Sequence, residues 1–424
     1  MKNSKIIAAI CIGNAMEWYD FMVYNFMLLF IAQAFFPSHN QTTSLLATMA
    51  SSGVALVVRP FGGILLGMWA DRYGHHKALL LVFNLMALAT LLITLTPSYA
   101  QIGLLASLLI VGARMLQGLA TGGEFSIAST LLVSLAPENK KGFYTSMQMV
   151  GQLLAIFFGS FFCFLLTVHY SNEALFTFAW RIPFAIGLLI LPVGWLLRRQ
   201  LQQQLGGTQT KTKVLYPQIL QQKKNLIMAL CLVSGCTGSV YTLFSYMPTF
   251  SKIYLHLTLQ ESYFGPMVGV AISIFTIPFF GALSDKIGTK PILIASLSLY
   301  LGLIYPLLSI LNQYPSLNNL LLVESILGLL IGAYFGVITG LLAELFPAAI
   351  RSTCLAISYN LAVMLFGGFA PFIITALIEH SKNPMIFTYY LMIAVALSLI
   401  AALYGTTKKE YYDNTRMVKE THSF

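Results

Sequence analysis

Long apolar stretches alternate with short polar ones along the whole chain. A helix needs roughly 20 apolar residues to cross a bilayer. Stretches of about that length or longer fall at 6–32, 45–69, 78–96, 102–135, 143–168, 179–197, 226–250, 262–283, 291–312, 318–345, 352–378 and 385–405. The pattern predicts an all-α membrane protein with 12 transmembrane helices, referred to below as spans 1 to 12. The start, "MKNSKIIAAICIGNAME", has the basic opening and apolar run of a signal peptide. It lacks a small-x-small cleavage site, and the apolar run continues past Glu17 and Asp20, so a retained first span is expected.

The polar stretches set the topology. Lys and Arg crowd the loops after even-numbered spans, the N-terminus, the middle loop and the tail, whereas the opposite loops hold only Lys252 and Lys382. By the positive-inside rule both termini are expected to be cytoplasmic, in a multi-pass protein of the cytoplasmic (inner) membrane. The loop "GMWADRYGHHK" at 67–77 returns as "GALSDKIGTK" at 281–290, with the shared frame Gly-x-x-x-Asp-basic-x-Gly. Asp71 and Asp285 sit half a chain apart, each after an even-numbered span. The chain is therefore expected to be two six-helix halves in parallel orientation: a bundle at 1–197, a linker at 198–225, a second bundle at 226–405 and a short tail at 406–424. Parallel repeats of this kind are one transporter plan, with the substrate site near the midplane between the halves.

Composition narrows the class. Hydrophobic residues make up 57% of the 424 residues and charged residues 9%, against about 25% charged in a soluble domain. The net charge of +10 lies mostly in loops facing the membrane surface, so no nucleic-acid partner is implied. The five cysteines have neither metal-site nor disulfide spacing. No Walker loop and no hydrolase pattern is present, so neither ATP nor catalysis is expected to drive this chain. No cofactor and no metal are expected, and a monomer is.

Charge inside the bilayer costs several kcal/mol and is rarely kept without function or a partner. The intramembrane ionisable groups are Glu17, Asp20, Arg59, Arg114, Glu124 and Glu324. At 100° per residue Glu17, Asp20 and Tyr24 share one side of span 1, extended by Asn14. Arg114, Gln117, Thr121 and Glu124 share one face of span 4. An arginine there suits a carboxylate, either the acid of span 1 or an anionic substrate. Competition between the two would couple a proton to transport. Asp20 or Glu17 is the expected proton carrier, with Arg114 and Glu124 in the coupling set and a structural ion pair as the alternative. Arg59, Arg114, Tyr24, Gln117, Gln148, Gln152, Tyr241, Ser245, Tyr359 and Asn360 are candidate substrate contacts; for the two glutamines helix–helix hydrogen bonding is the competing reading. Trp18 and Tyr19 read as packing. Gly328, Gly332, Gly336 and Gly340, spaced by four, read as one smooth face of span 10. Glu324 ranks below Asp20 as a proton site.

The loop at 67–77 resembles the cytoplasmic signature of the major facilitator superfamily. "GNAMEWYDFMVY", "RPFGG" at 59–63, "GARMLQGLATGGEF" at 112–125, "NKKGFYTS", "WRIPF" and "AELFPAAIRST" at 343–353 resemble its metabolite:proton symporters, among them carriers of 2-oxoglutarate, citrate, shikimate and proline/betaine. The resemblance implies alternating access, with Gly67, Asp71, Arg72, Gly74, Asp285, Lys286, Glu344 and Arg351 latching the halves. His75, His76 and Thr289 stand where the signatures usually carry basic residues. It implies proton symport of a small organic acid, such as a di- or tricarboxylate. The alternatives are proton symport of a zwitterionic osmolyte, and a sensor that no longer transports.

Overall fold

The structure, a computed structural model, describes residues 2–405 apart from 74, 123, 189–215 and 348–349; side chains at 2–10, 13, 17, 64, 67–80, 83, 124, 127, 131, 134, 135 and 216–218 are also outside the description. The expected linker at 198–225 therefore lies largely outside the described residues. Span 1 runs over Lys2–Phe26 and, after Met27, Leu28–Phe35; span 2 is Gln41–Tyr73 and span 3 is His75–Leu95. Span 4 is Leu104–Thr121 followed by Glu124–Leu135, span 5 is Lys141–His169, and span 6 is described over 182–188. Span 7 joins Lys223–Ser239 to Met247–Ile253, span 8 is Leu259–Ile287, span 9 is Thr289–Gln313 and span 10 is Leu317–Glu344. Span 11 joins Arg351–Ala362 to Ala370–Ser381, and span 12 is Ile386–Tyr404. Among the described residues nine helices are long and apolar enough to cross a membrane, and the segments of spans 1, 3 and 6 complete the twelve.

Several helices outrun the apolar stretches that predict them. Span 8 begins at Leu259, where the Thr258 hydroxyl accepts from the Glu261 amide at 3.2 Å and Glu261 Oε2 accepts from the Thr258 amide at 2.9 Å. This capping box satisfies amides at the helix start in the polar layer, so the helix extends beyond the hydrocarbon.

Small residues set the tightest crossings. In the first half, Gly118 and Gly122 of span 4 lie against the backbone of Ala55, Arg59 and Gly63 in span 2. In the second half, Gly328, Gly332 and Gly336 lie against Gly269, Ser273–Thr276 and Ile277 of span 8, while Gly340 turns to Thr145 of span 5. The two halves thus repeat one device, backbone-to-backbone approach through glycine. A Cβ on Gly328 would sit 2.5 Å from the Gly269 carbonyl oxygen, whereas one on Gly302 in span 9 would meet nothing within 4 Å. Gly328→Val is expected to force the crossing apart, at about 1–3 kcal/mol or more, and Gly302→Val to be tolerated. The melting temperature and monodispersity of the two variants in detergent check this; equal behaviour would contradict the crossing.

Spans 7 and 11 each contain one wide, π-helical turn, Val240–Tyr246 and Val363–Gly368. Such turns open the i→i−4 ladder and cluster at functional sites.

The halves meet along two main seams, span 5 on span 8 and span 2 on span 11. At the signature-loop end the seam is shut. Asp285 accepts from the Gly142 amide at 2.7 Å and the Phe143 amide at 3.0 Å. A carboxylate on the first free amides of a helix satisfies both the hydrogen bonds and the dipole. Ser352 on span 11 donates to Thr130 on span 4 at 3.0 Å. At the opposite end, Tyr263 of span 8 donates to the Phe26 carbonyl at 2.6 Å, and beyond it a cavity of about 950 Å³ opens between the halves.

Candidate functional site

Two buried guanidinium groups organise the midplane. Arg114 is 0% exposed and Arg59 3%. Arg114 donates to Gln117 Oε1 at 2.7 Å, one turn on in its own helix, and to Ser52 Oγ on span 2 at 3.0 Å. Ser52 in turn donates to Asn25 Oδ1 at 2.7 Å. The rings of Phe21 and Tyr24 lie 4.3 and 4.2 Å from the Arg114 carbon Cζ, contacts that can exceed about 2 kcal/mol when desolvated. The Tyr24 hydroxyl is shared with Ser51 at 2.5 Å.

Arg59 sits seven residues from Ser52 on span 2, and donates to the carbonyl of Thr121, seven residues from Arg114 on span 4, at 3.2 Å. Seven residues at 1.5 Å each place the two guanidinium groups roughly 10 Å apart along the seam. Arg59 lies 6.0 Å from the Trp18 ring and 5.9 Å from the Tyr359 ring. Trp18 meets Tyr241 edge-on across the seam at 6.5 Å, and Tyr359 stacks on Phe125 at 3.7 Å. A cleft lined by Trp18, Phe21, Arg59 and Thr121 joins the two levels and leaves no room for a water. Asn360 on span 11 donates to the Gly122 carbonyl at 2.7 Å.

Several polar groups here lack hydrogen-bond partners. They are Asn25 Nδ2, Arg59 Nε, Arg114 Nε, Gln117 Nε2, Gln152 Nε2, the Tyr241 hydroxyl, Ser245 Oγ and Asn360 Oδ1. All but the last can donate. No described carboxylate lies within ion-pair distance of either arginine.

The expected pairing of Asp20 with Arg114 is not formed. Asp20 Oδ2 accepts from Thr90 on span 3 at 3.1 Å, and Oδ1 has no hydrogen-bond partner and lies over Gly187 of span 6, where a Cβ would collide with it. The carboxyl faces the outer helices of its own half, while Tyr24, one turn on, lies under the arginine. The coupling candidates Glu17 and Glu124 have side chains outside the described residues, as do the gating candidates Gly67, Asp71 and Arg72; Gly74 lies outside them altogether. Gln148 is engaged in packing: it accepts from Ser129 at 2.8 Å and donates to the Phe125 carbonyl at 3.1 Å. Of the remaining latch residues, Asp285 caps span 5, Arg351 donates to the Phe346 carbonyl at 3.4 Å, and Lys286 and Glu344 lie at the ends of spans 8 and 10. Among these, Asp285 is described joining the halves, through the backbone amides of Gly142 and Phe143.

Trp18, Phe21 and Phe125 escape the sequence pattern. Trp18 walls the seam rather than only packing a core. Phe21 and Phe125 do the same, and their only signal is proximity in sequence to the polar stripes. Glu324 is fully buried against Gly269, and neither carboxyl oxygen has a hydrogen-bond partner.

Two six-helix halves around a buried, donor-rich seam are the plan of a secondary transporter. The Major Facilitator Superfamily pattern matches residues 10–357 and 267–423, and the chain belongs to that family, within its metabolite:proton symporters. It is 35% identical to the citrate-proton symporter of Klebsiella pneumoniae over 92% of this chain and 89% of that protein. It is 31% identical to the proline/betaine transporter of Escherichia coli strain K12, over 96% and 84%. Its fold matches the xylose transporter XylE of E. coli, solved in a partially occluded inward-open conformation, with a TM-score of 0.71 over 95% and 96% of the two chains at 18% identity.

Proposed function

We propose that this protein takes up a small di- or tricarboxylate together with protons. One observation carries the substrate class: the unpartnered groups of the midplane are nearly all donors, and two of them belong to arginines with no described carboxylate partner. Buried charge is tolerated when it is paired and hydrogen-bonded. A substrate bearing carboxylates supplies acceptors to these donors, and each guanidinium fork matches a carboxylate. The identity to a citrate-proton symporter agrees with this reading.

Asp20 carries the coupled proton. It is buried, forms no ion pair with a described cation, and accepts a hydrogen bond from Thr90. A carboxyl so placed changes charge when its surroundings open or a cation arrives, which ties proton transfer to the conformational cycle. Positive charge on the loops assigns both termini and the signature loops to the cytoplasmic side of the cytoplasmic membrane. The halves divide at the 198–225 linker, and the carrier acts as a monomer. The structure then corresponds to a state sealed towards the cytoplasm by Asp285.

The aromatic walls of Trp18, Tyr241 and Tyr359 favour a second reading, a zwitterion whose carboxylate meets an arginine while its cation meets a ring. Arg59 already occupies the Trp18 and Tyr359 faces, which sets this reading second. Proteoliposomes with an acidic exterior, given labelled citrate, 2-oxoglutarate, proline and betaine, decide among them. Accumulation of the acids alone is expected. Accumulation of betaine or proline alone would reject the anionic reading, and uptake of nothing would return the chain to the sensor.

A further inference from the structure

The cavity at the end opposite the signature loops is built from separate parts of both halves. It is lined by the ends of spans 1, 5 and 7, the segment at 37–45 and the loop at 256–260, and it holds about 950 Å³. That lies in the range of small-molecule pockets. Its ionisable lining residues are Lys252, His39 and His256; no carboxylate lines it.

The nearby acids are otherwise engaged or face away. Glu261 accepts from the Thr258 amide and hydroxyl. Glu379 accepts from Lys382 at 2.8 Å and from Thr42 at 3.2 Å, and Glu173 is exposed outside the cavity. Lys252 and Lys382 are the two lysines of the sparsely charged loops. Lys382 has its partner, whereas the Lys252 ammonium makes no hydrogen bond or ion pair among the described residues. His256 is held at φ 55°, a left-handed conformation uncommon outside glycine that calls for a local reason. The cavity thus holds one unpaired positive charge, on Lys252, and no negative one, with the two imidazoles beside it. Neither Arg59 nor Arg114 lines it, so it is distinct from the midplane.

We propose that this cavity is a second, weaker binding site for di- and tricarboxylate anions, held by Lys252 with His39 and His256, from which the midplane site is loaded. It deepens the anionic reading of the midplane and rests on it for the identity of the cargo. Clefts lined by one sign of charge concentrate oppositely charged ligands and speed their arrival.

The test places a thiol in the basin. Ser38→Cys, a lining position, is labelled by a membrane-impermeant maleimide in proteoliposomes with and without citrate, against the protein lacking that substitution. Citrate is expected to slow labelling, and the concentration needed to rise about three- to fivefold in Lys252→Gln, the scale of an exposed charge contact. Lys382→Gln is expected to leave it unchanged, and raised salt to weaken it. Arg114→Gln is expected to keep the protection while losing uptake. Labelled-citrate uptake in the same vesicles reads the midplane separately. Absence of uptake with protection kept would overturn the anionic midplane and not this site. Protection that is absent, that ignores Lys252→Gln, or that vanishes in Arg114→Gln would overturn this site.

Discussion

Arg114→Gln is expected to abolish uptake while leaving the fold intact. Glutamine keeps a polar side chain on the face of span 4, so Ser52 and Gln117 retain a partner within reach. What goes is the charge and the fork. Truncating one partner of a buried, hydrogen-bonded charge pair costs about 2–5 kcal/mol, roughly 30- to several-thousand-fold in affinity. Arg114→Lys is expected to recover little, because an ammonium cannot reproduce the planar geometry that reaches Gln117 and Ser52 together. Labelled-acid uptake and counterflow in proteoliposomes, beside melting temperature in detergent, separate lost binding from lost folding. A variant that transports within a few-fold of wild type would remove Arg114 from the site.

The second large effect is on coupling. Asp20→Asn is nearly isosteric and retains a carbonyl for the Thr90 hydroxyl, but it cannot exchange a proton. Each pH unit of gradient is worth about tenfold accumulation for every proton carried. The variant is therefore expected to exchange internal for external substrate at near-normal rate, yet to build no gradient when the exterior is acidified. Acidification drives uptake in wild type because protons move inward with the substrate. Retained pH-driven accumulation would sink the Asp20 role. Glu324, whose two bare oxygens lie against Gly269, would then be next to replace, by glutamine.

Much of the fold was legible in the sequence, and the reason is physical. Bilayer thickness fixes how long an apolar run must be, so twelve runs announce twelve helices. The repeated Asp-basic frame announces two copies of one bundle. Glycines four apart announce a crossing, and three of the four on span 10 pack on span 8. The Arg114–Gln117–Thr121 stripe announced the wet face of span 4, and Arg114 and Gln117 meet as its spacing implies.

The candidate site was legible by helix face but not by contact. Asp20 and Tyr24 lie on one side of span 1, yet Tyr24 lies under Arg114 while the Asp20 carboxyl turns to Thr90 and Gly187. That choice depends on residues 70 and 167 positions away, which periodicity along one helix does not encode. The partners of Asp285 were hidden for another reason: they are the amides of Gly142 and Phe143, and an amide has no residue identity to read. For Gln148 the sequence leaves substrate contact and helix–helix bonding both open, because an amide side chain serves either, and its described bonds go to Ser129 and the Phe125 carbonyl.

The wide turns in spans 7 and 11 each take up one residue more than a regular helix would. An α-helix advances 100° per residue, and a π turn spends an extra residue on nearly the same sweep. The turn at 363–368 sets Gly367 on Tyr241 and Gly368 on Leu56, and beyond it Thr375 lies 2.5 Å from the Tyr246 hydroxyl, itself at the end of the matching turn in span 7. Losing a single codon there is expected to close the turn into ordinary α geometry and to leave the flanking halves near their present headings. The contacts of the turn itself would be re-aimed while Thr375 kept its place. A lost or added residue is thus absorbed locally, and the rest of the seam keeps its register.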